Sequence, residues 1–268
     1  MLEIFSYTFI QNALIAGLIV SIITAIIGSL VVVNKMVFLS GGIAHSAYGG
    51  IGLAIFFGLP MLLSTSLFCV LIAMLIARAS YDNRENLDML IGLTWAVGMS
   101  LGIILVDLTP GYQADLMSYL FGSLLAVTST DIYYMALLLL VVLGTLVVFY
   151  RDILAVSYDI EYARLRGVNT KFFYTLILVL SSLTIVISIK VVGLILVIAL
   201  LTIPIYIAGY FAKNILSMML MSAGLSIVFT LIGLTLSYSF DLSSGPSIII
   251  VSSLCAFCVY ILKGLSKH

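Results

Sequence analysis

The sequence predicts an all-α, polytopic bundle of about eight or nine transmembrane helices, and its composition is the main reason. The 268-residue chain is 63% hydrophobic and 8% charged, with a mean hydropathy of +1.32. Soluble globular proteins are about 25% charged. Apolar stretches of about 20 residues, long enough to cross a bilayer as helices, recur along the chain. We therefore expect a single transmembrane domain over residues 1–268.

Nine apolar segments mark the candidate spans. The boundary at Lys190 is one residue wide, and Gly193 and Pro204 follow it, so we expect a turn, a broken helix or a half-helix there. The segments are Phe9–Val33, Val37–Phe57, Met61–Ala77, Met89–Val106, Ile132–Tyr150, Phe172–Ile189, Val191–Phe211, Ile215–Leu236 and Ser247–Leu262.

Basic residues decide the predicted orientation, because lysine and arginine concentrate on the cytoplasmic side. An N-terminus outside and a C-terminus in the cytoplasm places ten of the 11 basic residues inside and Lys190 alone outside. An acidic outer face would attract cations, although the exclusion of positive charge from outer loops explains the same pattern. The outer acids are Glu3, Asp107, Asp115, Asp131 and Asp241.

The segment Val37–Phe57 carries the candidate transport site. It has no charged residue, and its middle holds His45, the only histidine besides His268. An imidazole within the bilayer is costly, which makes it a functional candidate, and neutral imidazole binds transition-metal ions. The alternative is that His45 only bonds a neighbouring helix. Small residues around it predict close helix packing, above all Gly41, Gly42, Gly49 and Gly50.

Two loops are long enough to have their own structure. Asp107–Asp131 is half apolar, and its part Leu116–Val127 is too short to span, which favours an interfacial or re-entrant segment. Arg151–Lys171 is the most polar stretch and predicts about two turns of helix over 158–166, with Gly167 as a left-handed C′ residue. Both a docking helix and an ordinary solvated loop fit it.

Several chemistries have no motif here. The chain lacks the phosphate-binding G-x-x-x-x-G-K-[ST], the metalloprotease H-E-x-x-H and the hydrolase G-x-S-x-G, so we expect no enzyme and no intrinsic ATPase. A net charge of zero argues against nucleic acid. Cys255 and Cys258 form a C-x-x-C, which is typical of metal or redox sites but also of two small packing residues on one helix.

Six separate stretches carry a family resemblance. They are GGIAHSAYGGIGLA in 41–54, DLMSYLFGSLLAV in 115–127, EYARLRG in 161–167, VVGLILVIALLTIP in 191–204, GLTLSYSFDLSSG in 233–245, and Asp88 with Ile91 and Gly92. Together, over nearly the full length, they resemble the membrane permease subunit of zinc, manganese and iron ABC importers, the ABC-3 type. The resemblance implies a type II importer-like fold in the inner membrane.

This resemblance also implies partners and roles. The permease would form a homodimer with two cytoplasmic ATPase subunits, which bind the ATP, and an extracytoplasmic metal-binding protein; no cofactor would stay bound. The loop 151–171 would carry the helix that docks on the ATPase. The residues assigned to this coupling are Asp159, Glu161, Ala163, Arg164 and Gly167.

One position departs from the family pattern. Many members have an aspartate four residues before the histidine, where this chain has Gly41, so a carboxylate one helical turn from His45 is missing. We expect His45 to contact the ion in transit, with Asp88 or Asp241 as further ligands. The alternative function is a stand-alone cation carrier or channel, which would work without an ATPase; a purely structural subunit would leave His45 without a task.

Overall fold

The computed structural model describes residues 8–81, 87–110, 122, 124 and 127–265. Within these ranges the chain forms eleven α-helices and no β-strand, which confirms the all-α prediction. Helices satisfy their backbone hydrogen bonds internally, as a bilayer requires. The helices are α1 (Thr8–Val33), α2 (Val37–Phe57), α3 (Met61–Ser80), α4 (Leu87–Asp107), α5 (Ser129–Tyr158), α6 (Ile160–Leu165), α7 (Thr170–Val192), α8 (Leu194–Leu200), α9 (Ile203–Gly209), α10 (Ile215–Phe240) and α11 (Ser244–Leu265).

Seven of these helices are long and apolar enough to cross a membrane: α1, α3, α4, α5, α7, α10 and α11. Helix α2 has 21 residues, the same length as α4. Its glycines, serines and histidine lower its hydropathy, but 21 residues are enough to span. With α2, the described residues contain eight helices long enough to cross a bilayer, which is within the predicted range. The orientation of the termini stays a prediction.

The seventh apolar segment, Val191–Phe211, is broken, as its glycine and proline predict. Helix α7 continues through Lys190 to Val192, so the break lies three residues later than the predicted end of that span. It falls at Gly193, whose φ of 81° is in the left-handed region that favours glycine. The two short helices α8 and α9 follow, with Pro204 near the start of α9.

The described residues fall into two compact units, each considered by itself. The first unit is drawn from residues 1–32, 117–139 and 188–268, and the second from residues 33–116 and 140–187. Helix α1 and helices α8 to α11 belong to the first unit. Helices α2, α3, α4 and α6 belong to the second, while α5 and α7 contribute residues to both.

In the first unit, α10 and α11 pack closely at Gly233, where an added Cβ would lie 2.6 Å from the Cα of Ile248. Lys190 in the last turn of α7 donates to the carboxylate of Asp131 in the first turn of α5. Asp131 is buried. A buried charge requires such a partner, so this ion pair satisfies the carboxylate and joins two helix ends.

In the second unit, α2 contacts both α3 and α4. Residue numbers rise on both helices along the contact between α2 and α4, because Gly42 lies near Ile91 and Gly52 lies near Gly102. The two helices therefore run in the same direction, as two spans separated by one returning span must.

The polar loop is more helical than the sequence predicts. Helix α5 continues to Tyr158 and contains a kink at Phe149, whose φ of −113° and ψ of 17° are not helical. The predicted helix over 158–166 is the separate helix α6, six residues long. Most of the predicted re-entrant segment Leu116–Val127 lies outside the described residues, as do Glu3 and Asp115.

Candidate transport site and coupling loop

His45 lies near the middle of α2 and stacks on an aromatic residue of α4. Its imidazole and the indole of Trp95 are nearly parallel, with ring centroids 4.0 Å apart and an interplanar angle of 9°. Nδ1 of His45 is buried and makes no hydrogen bond to the described residues. The alternative role predicted for His45 is a hydrogen bond to a neighbouring helix, and Nδ1 makes no such bond to the described residues.

Trp95 is itself held in place within its helix. Its indole Nε1 donates to the thioether sulfur of Met99, 3.0 Å away and one turn further along α4. Sequence reasoning missed this residue, although Trp95 is the only tryptophan in the chain. Fifty residues separate it from His45, and no pattern within one sequence links the two positions.

Three of the four predicted packing glycines lie against a neighbouring helix. An added Cβ would be 2.5 Å from a methyl of Ile91 at Gly42, 2.7 Å from the ring of Phe68 at Gly49, and 2.6 Å from the Cα of Thr65 at Gly50. At Gly41 nothing lies within 4 Å. Gly41 and His45 are one helical turn apart, so the position of the family's aspartate has open space beside it.

The closest approach in this unit pairs α2 with Gly98 and Gly102 of α4, two glycines that sequence reasoning did not single out. A Cβ at Gly102 would lie 2.3 Å from the carbonyl oxygen of Tyr48, and one at Gly52 would lie 2.6 Å from the carbonyl oxygen of Gly102. A Cβ at Gly98 would meet the backbone of Ser46 at 2.7 Å. We call the glycines on both sides of this contact the glycine seam: Gly42, Gly49, Gly52, Gly98 and Gly102.

The two candidate aspartates lie at helix ends, whereas His45 lies near the middle of α2. Asp88 is exposed in the first turn of α4, seven residues before Trp95, or roughly 10 Å along a helix axis. Asp241 is exposed at the end of α10, in the left-handed conformation with a φ of 54°, and belongs to the first unit. Among the described residues no three His, Cys, Asp or Glu side chains come together as a metal site.

Helix α6 is stabilised at its start by Asp159. The carboxylate of Asp159 accepts a hydrogen bond from the backbone N–H of Tyr162 at 3.0 Å. This is an N-cap, which satisfies one of the amide groups that a helix start leaves without a partner. Glu161 in the first turn is exposed and complements the helix dipole.

The end of α6 is a Schellman motif around Gly167. Gly167 has a φ of 78°, as predicted for the C′ residue, and its N–H donates to the carbonyl of Arg164 at 3.0 Å. The N–H of Val168 donates to the carbonyl of Ala163 at 3.1 Å. These two bonds define the motif. Ala163 is fully buried, so this side of α6 faces the protein interior.

The profile of the ABC 3 transport family matches residues 6–263. The chain belongs to this family. An uncharacterized membrane protein of Synechocystis sp. (strain ATCC 27184 / PCC 6803 / Kazusa) is 44% identical to this ABC 3 family member over 254 residues, covering 95% of this chain and 90% of the relative. The high-affinity zinc uptake system membrane protein ZnuB of Haemophilus influenzae is 33% identical and covers 90% and 92%.

A solved structure has the same fold. PsaBC from Streptococcus pneumoniae, in complex with Fab, superposes with a TM-score of 0.84 at 28% identity, and the match covers 95% of this chain and 91% of the other. This ABC 3 family protein is therefore a multi-pass membrane protein with the fold of an ABC transporter permease, as the resemblance implied.

Proposed function

We propose that this protein is the permease subunit of an ATP-driven importer for a divalent transition-metal ion, namely zinc, manganese or iron. The observation that carries the proposal is helix α6, a short helix capped at both ends and exposed in the predicted cytoplasmic loop of an ABC 3 family chain. A transporter that hydrolyses no ATP of its own needs such a surface to receive movement from an ATPase.

The surface around α6 has the composition of a protein interface. Leu165 is 88% exposed, and Tyr158 and Tyr162 are also exposed. The two tyrosines, with Arg151 and Arg166, line an open groove of about 290 Å³. Aromatic residues and arginine are enriched at protein interfaces, and the caps of α6 hold its backbone in one conformation before a partner binds. We infer that this groove faces a cytoplasmic ATPase subunit.

We propose the further partners from the same family resemblance. Since the sequence has no phosphate-binding loop, ATP would be bound and hydrolysed by the partner subunits, and the permease itself would catalyse no reaction. Two permease copies would form the pathway in the bilayer, and an extracytoplasmic binding protein would deliver the ion. The metal is the cargo, and we propose no permanently bound cofactor.

His45 would contact the ion in transit. One imidazole is an incomplete ligand set, whereas a closed four-ligand site would retain the ion. Stacking against Trp95 orients the ring, and Nδ1 makes no competing hydrogen bond to the described residues. Asp241 lies at the predicted outer end of α10 and Asp88 at the predicted cytoplasmic start of α4, so we propose that they act before and after His45 rather than together with it.

The test is metal uptake into vesicles that contain this chain, its co-purifying ATPase and its binding protein. Zinc, manganese and iron(II) are supplied in competition. We expect ATP-dependent uptake of one metal, which stops when the ATPase is omitted. Uptake that follows an ion gradient and needs no ATPase would instead support a secondary carrier and contradict the proposal.

His45 can be tested separately, because Trp95 reports on it. Because Trp95 is the only tryptophan and is stacked on His45, its fluorescence should change when a metal ion binds the imidazole. His45→Ala should abolish both this change and uptake while the purified protein stays monodisperse, and His268→Ala is the matched control. Wild-type uptake by His45→Ala would remove the histidine from the pathway.

A further inference from the structure

Tyr81, directly after α3, contacts two other helices through one hydroxyl. The hydroxyl shares a hydrogen bond of 2.5 Å with Oγ1 of Thr170, the first residue of α7. It also accepts a hydrogen bond from Nη2 of Arg164 in α6, at 3.1 Å. The end of α3, the start of α7 and the short helix α6 therefore meet at a single oxygen atom.

The ring of Tyr81 is held as well. It packs edge-on against the ring of Tyr174 in α7, with centroids 5.7 Å apart, and the ammonium of Lys171 lies 5.0 Å from its centroid. The hydroxyl of Tyr174 in turn shares a hydrogen bond of 2.9 Å with Ser80. We call Tyr81 with its four partners Arg164, Thr170, Lys171 and Tyr174 the Tyr81 junction.

Electrostatics at the junction agree with this geometry. Burial raises the pKa of Tyr81, but the hydrogen bonds with Thr170 and Arg164 and the positive charges of Arg164 and Lys171 outweigh burial, so that the pKa lies below its usual value. Charge-assisted hydrogen bonds of this kind are stronger than neutral ones. The oxygen is therefore a preferred acceptor for the Arg164 guanidinium.

Helix α6 needs such an attachment. Helices as short as its six residues are marginal on their own in water, and caps alone do not connect it to the membrane helices. Ala163 is the buried residue of α6. The hydrogen bond from Arg164 to Tyr81 joins α6 to the end of α3. Helix α3 is bonded to α2, the helix of His45, because Oγ of Ser64 donates to the carbonyl of Gly50 at 3.1 Å.

We propose that Tyr81 is a positioning residue that transmits movement of α6 to α3 and α7. The proposal rests on the proposed function, since it takes α6 as the surface moved by the ATPase. Within the second unit the chain of contacts is continuous, from Arg164 through Tyr81 to α3 and from Ser64 to α2. A continuous chain shows where coupling can pass, and the coupling itself has to be measured.

The first measurement is hydrogen–deuterium exchange on the purified full-length chain. Tyr81→Phe removes the hydroxyl and keeps the ring contacts. We expect amide exchange over residues 160–167 to accelerate several-fold while α10 and α11 are unchanged. Tyr133→Phe is the matched control, because Tyr133 is exposed and its hydroxyl has no hydrogen-bond partner among the described residues.

The second measurement is the number of ions transported per ATP hydrolysed in the complete complex, with the metal that the wild type takes up. Losing both hydrogen bonds of the hydroxyl should lower this ratio by roughly fivefold or more, while ATP hydrolysis continues. A merely structural defect would lower uptake and hydrolysis together and leave their ratio unchanged. Thr170→Val should act in the same direction, and the double variant should be less severe than the product of the two single effects.

The outcomes separate the two proposals. If the wild type is ATP-driven but Tyr81→Phe keeps the normal ratio, or leaves exchange over 160–167 unchanged, the transmission role is wrong and the proposed function stands. If wild-type uptake needs no ATPase, the proposed function is wrong and the transmission role falls with it. Faster exchange together with a lowered ratio supports both.

Discussion

The glycine seam and the Tyr81 junction lie in the same unit but are built in opposite ways. At the seam the backbones of α2 and α4 meet with almost no side chain between them, as at Gly102 against the carbonyl of Tyr48. At the junction the polar side chains of Tyr81, Arg164 and Thr170 connect the ends of α3 and α7 with α6. The effect of a substitution at the seam should therefore depend on the side-chain volume that it adds. The effect of a substitution at the junction, or in the helix α6 attached to it, should depend on hydrogen bonding and backbone conformation.

The largest effect should come from adding one methyl group to the seam. Gly102→Ala would place a Cβ 2.3 Å from a backbone oxygen, which no side-chain rotation can relieve. Overpacking of this kind costs about 1–3 kcal/mol, and this site belongs at the upper end. The thermal unfolding midpoint of the purified protein should fall. Gly92→Ala on the same helix has nothing within 4 Å and should leave the midpoint nearly unchanged; equal midpoints for the two variants would contradict the seam.

The next effect distinguishes two adjacent glycines of α2. In Gly42→Ala the one contact that is too short is with a side-chain methyl of Ile91 at 2.5 Å, and the backbone oxygen of Ile91 lies at 3.5 Å, so we expect a smaller loss of about 1–2 kcal/mol. Gly41→Ala has open space and should be neutral or slightly stabilising. Denaturation of both variants in parallel measures the difference, and a loss at Gly41 as large as that at Gly42 would show that the Gly41 side of α2 is covered in the folded protein.

In α6, the short helix that the Tyr81 junction attaches to α3, the expected changes are smaller and local. Gly167→Ala retains the space but forces alanine into a left-handed conformation, at a cost of about 1 kcal/mol. Amide exchange over residues 160–167 should rise. Gly144→Ala, in open space within α5, is the control that should not affect these amides. Unchanged exchange in Gly167→Ala would mean that contacts outside the Schellman motif hold the end of α6.

The smallest effect should come from the exposed N-cap. Asp159→Ala removes the bond to the N–H of Tyr162, at a cost of about 0.5 kcal/mol at so exposed a position. Asp159→Asn keeps an acceptor and should restore most of the loss. ATPase co-purification with each variant is a suitable measurement, and equal binding by Asp159→Ala and the wild type would show that the cap does not limit docking.

Much of the fold could be predicted because it depends on local composition. The apolar segments correspond to the observed helices, the break after Lys190 follows from Gly193 and Pro204, and Gly167 ends α6 in the predicted left-handed conformation. Each of these features needs only neighbouring residues and the bilayer as solvent. The family resemblance rests on short stretches that occur in a fixed order along the chain, and the match of the family profile to residues 6–263 confirms it.

The amino-acid sequence alone specifies a helical membrane protein of the ABC 3 family, with one internal histidine and a polar loop helix that ends at Gly167. Which residues contact each other across the bundle depends on tertiary packing. His45 on Trp95, Gly52 against Gly102 and Arg164 on Tyr81 join positions about 50 to 80 residues apart. Such contacts depend on how helices rotate and cross, and this is set by packing against neighbours. Hydropathy specifies that a segment enters the bilayer, but not which of its sides faces a partner.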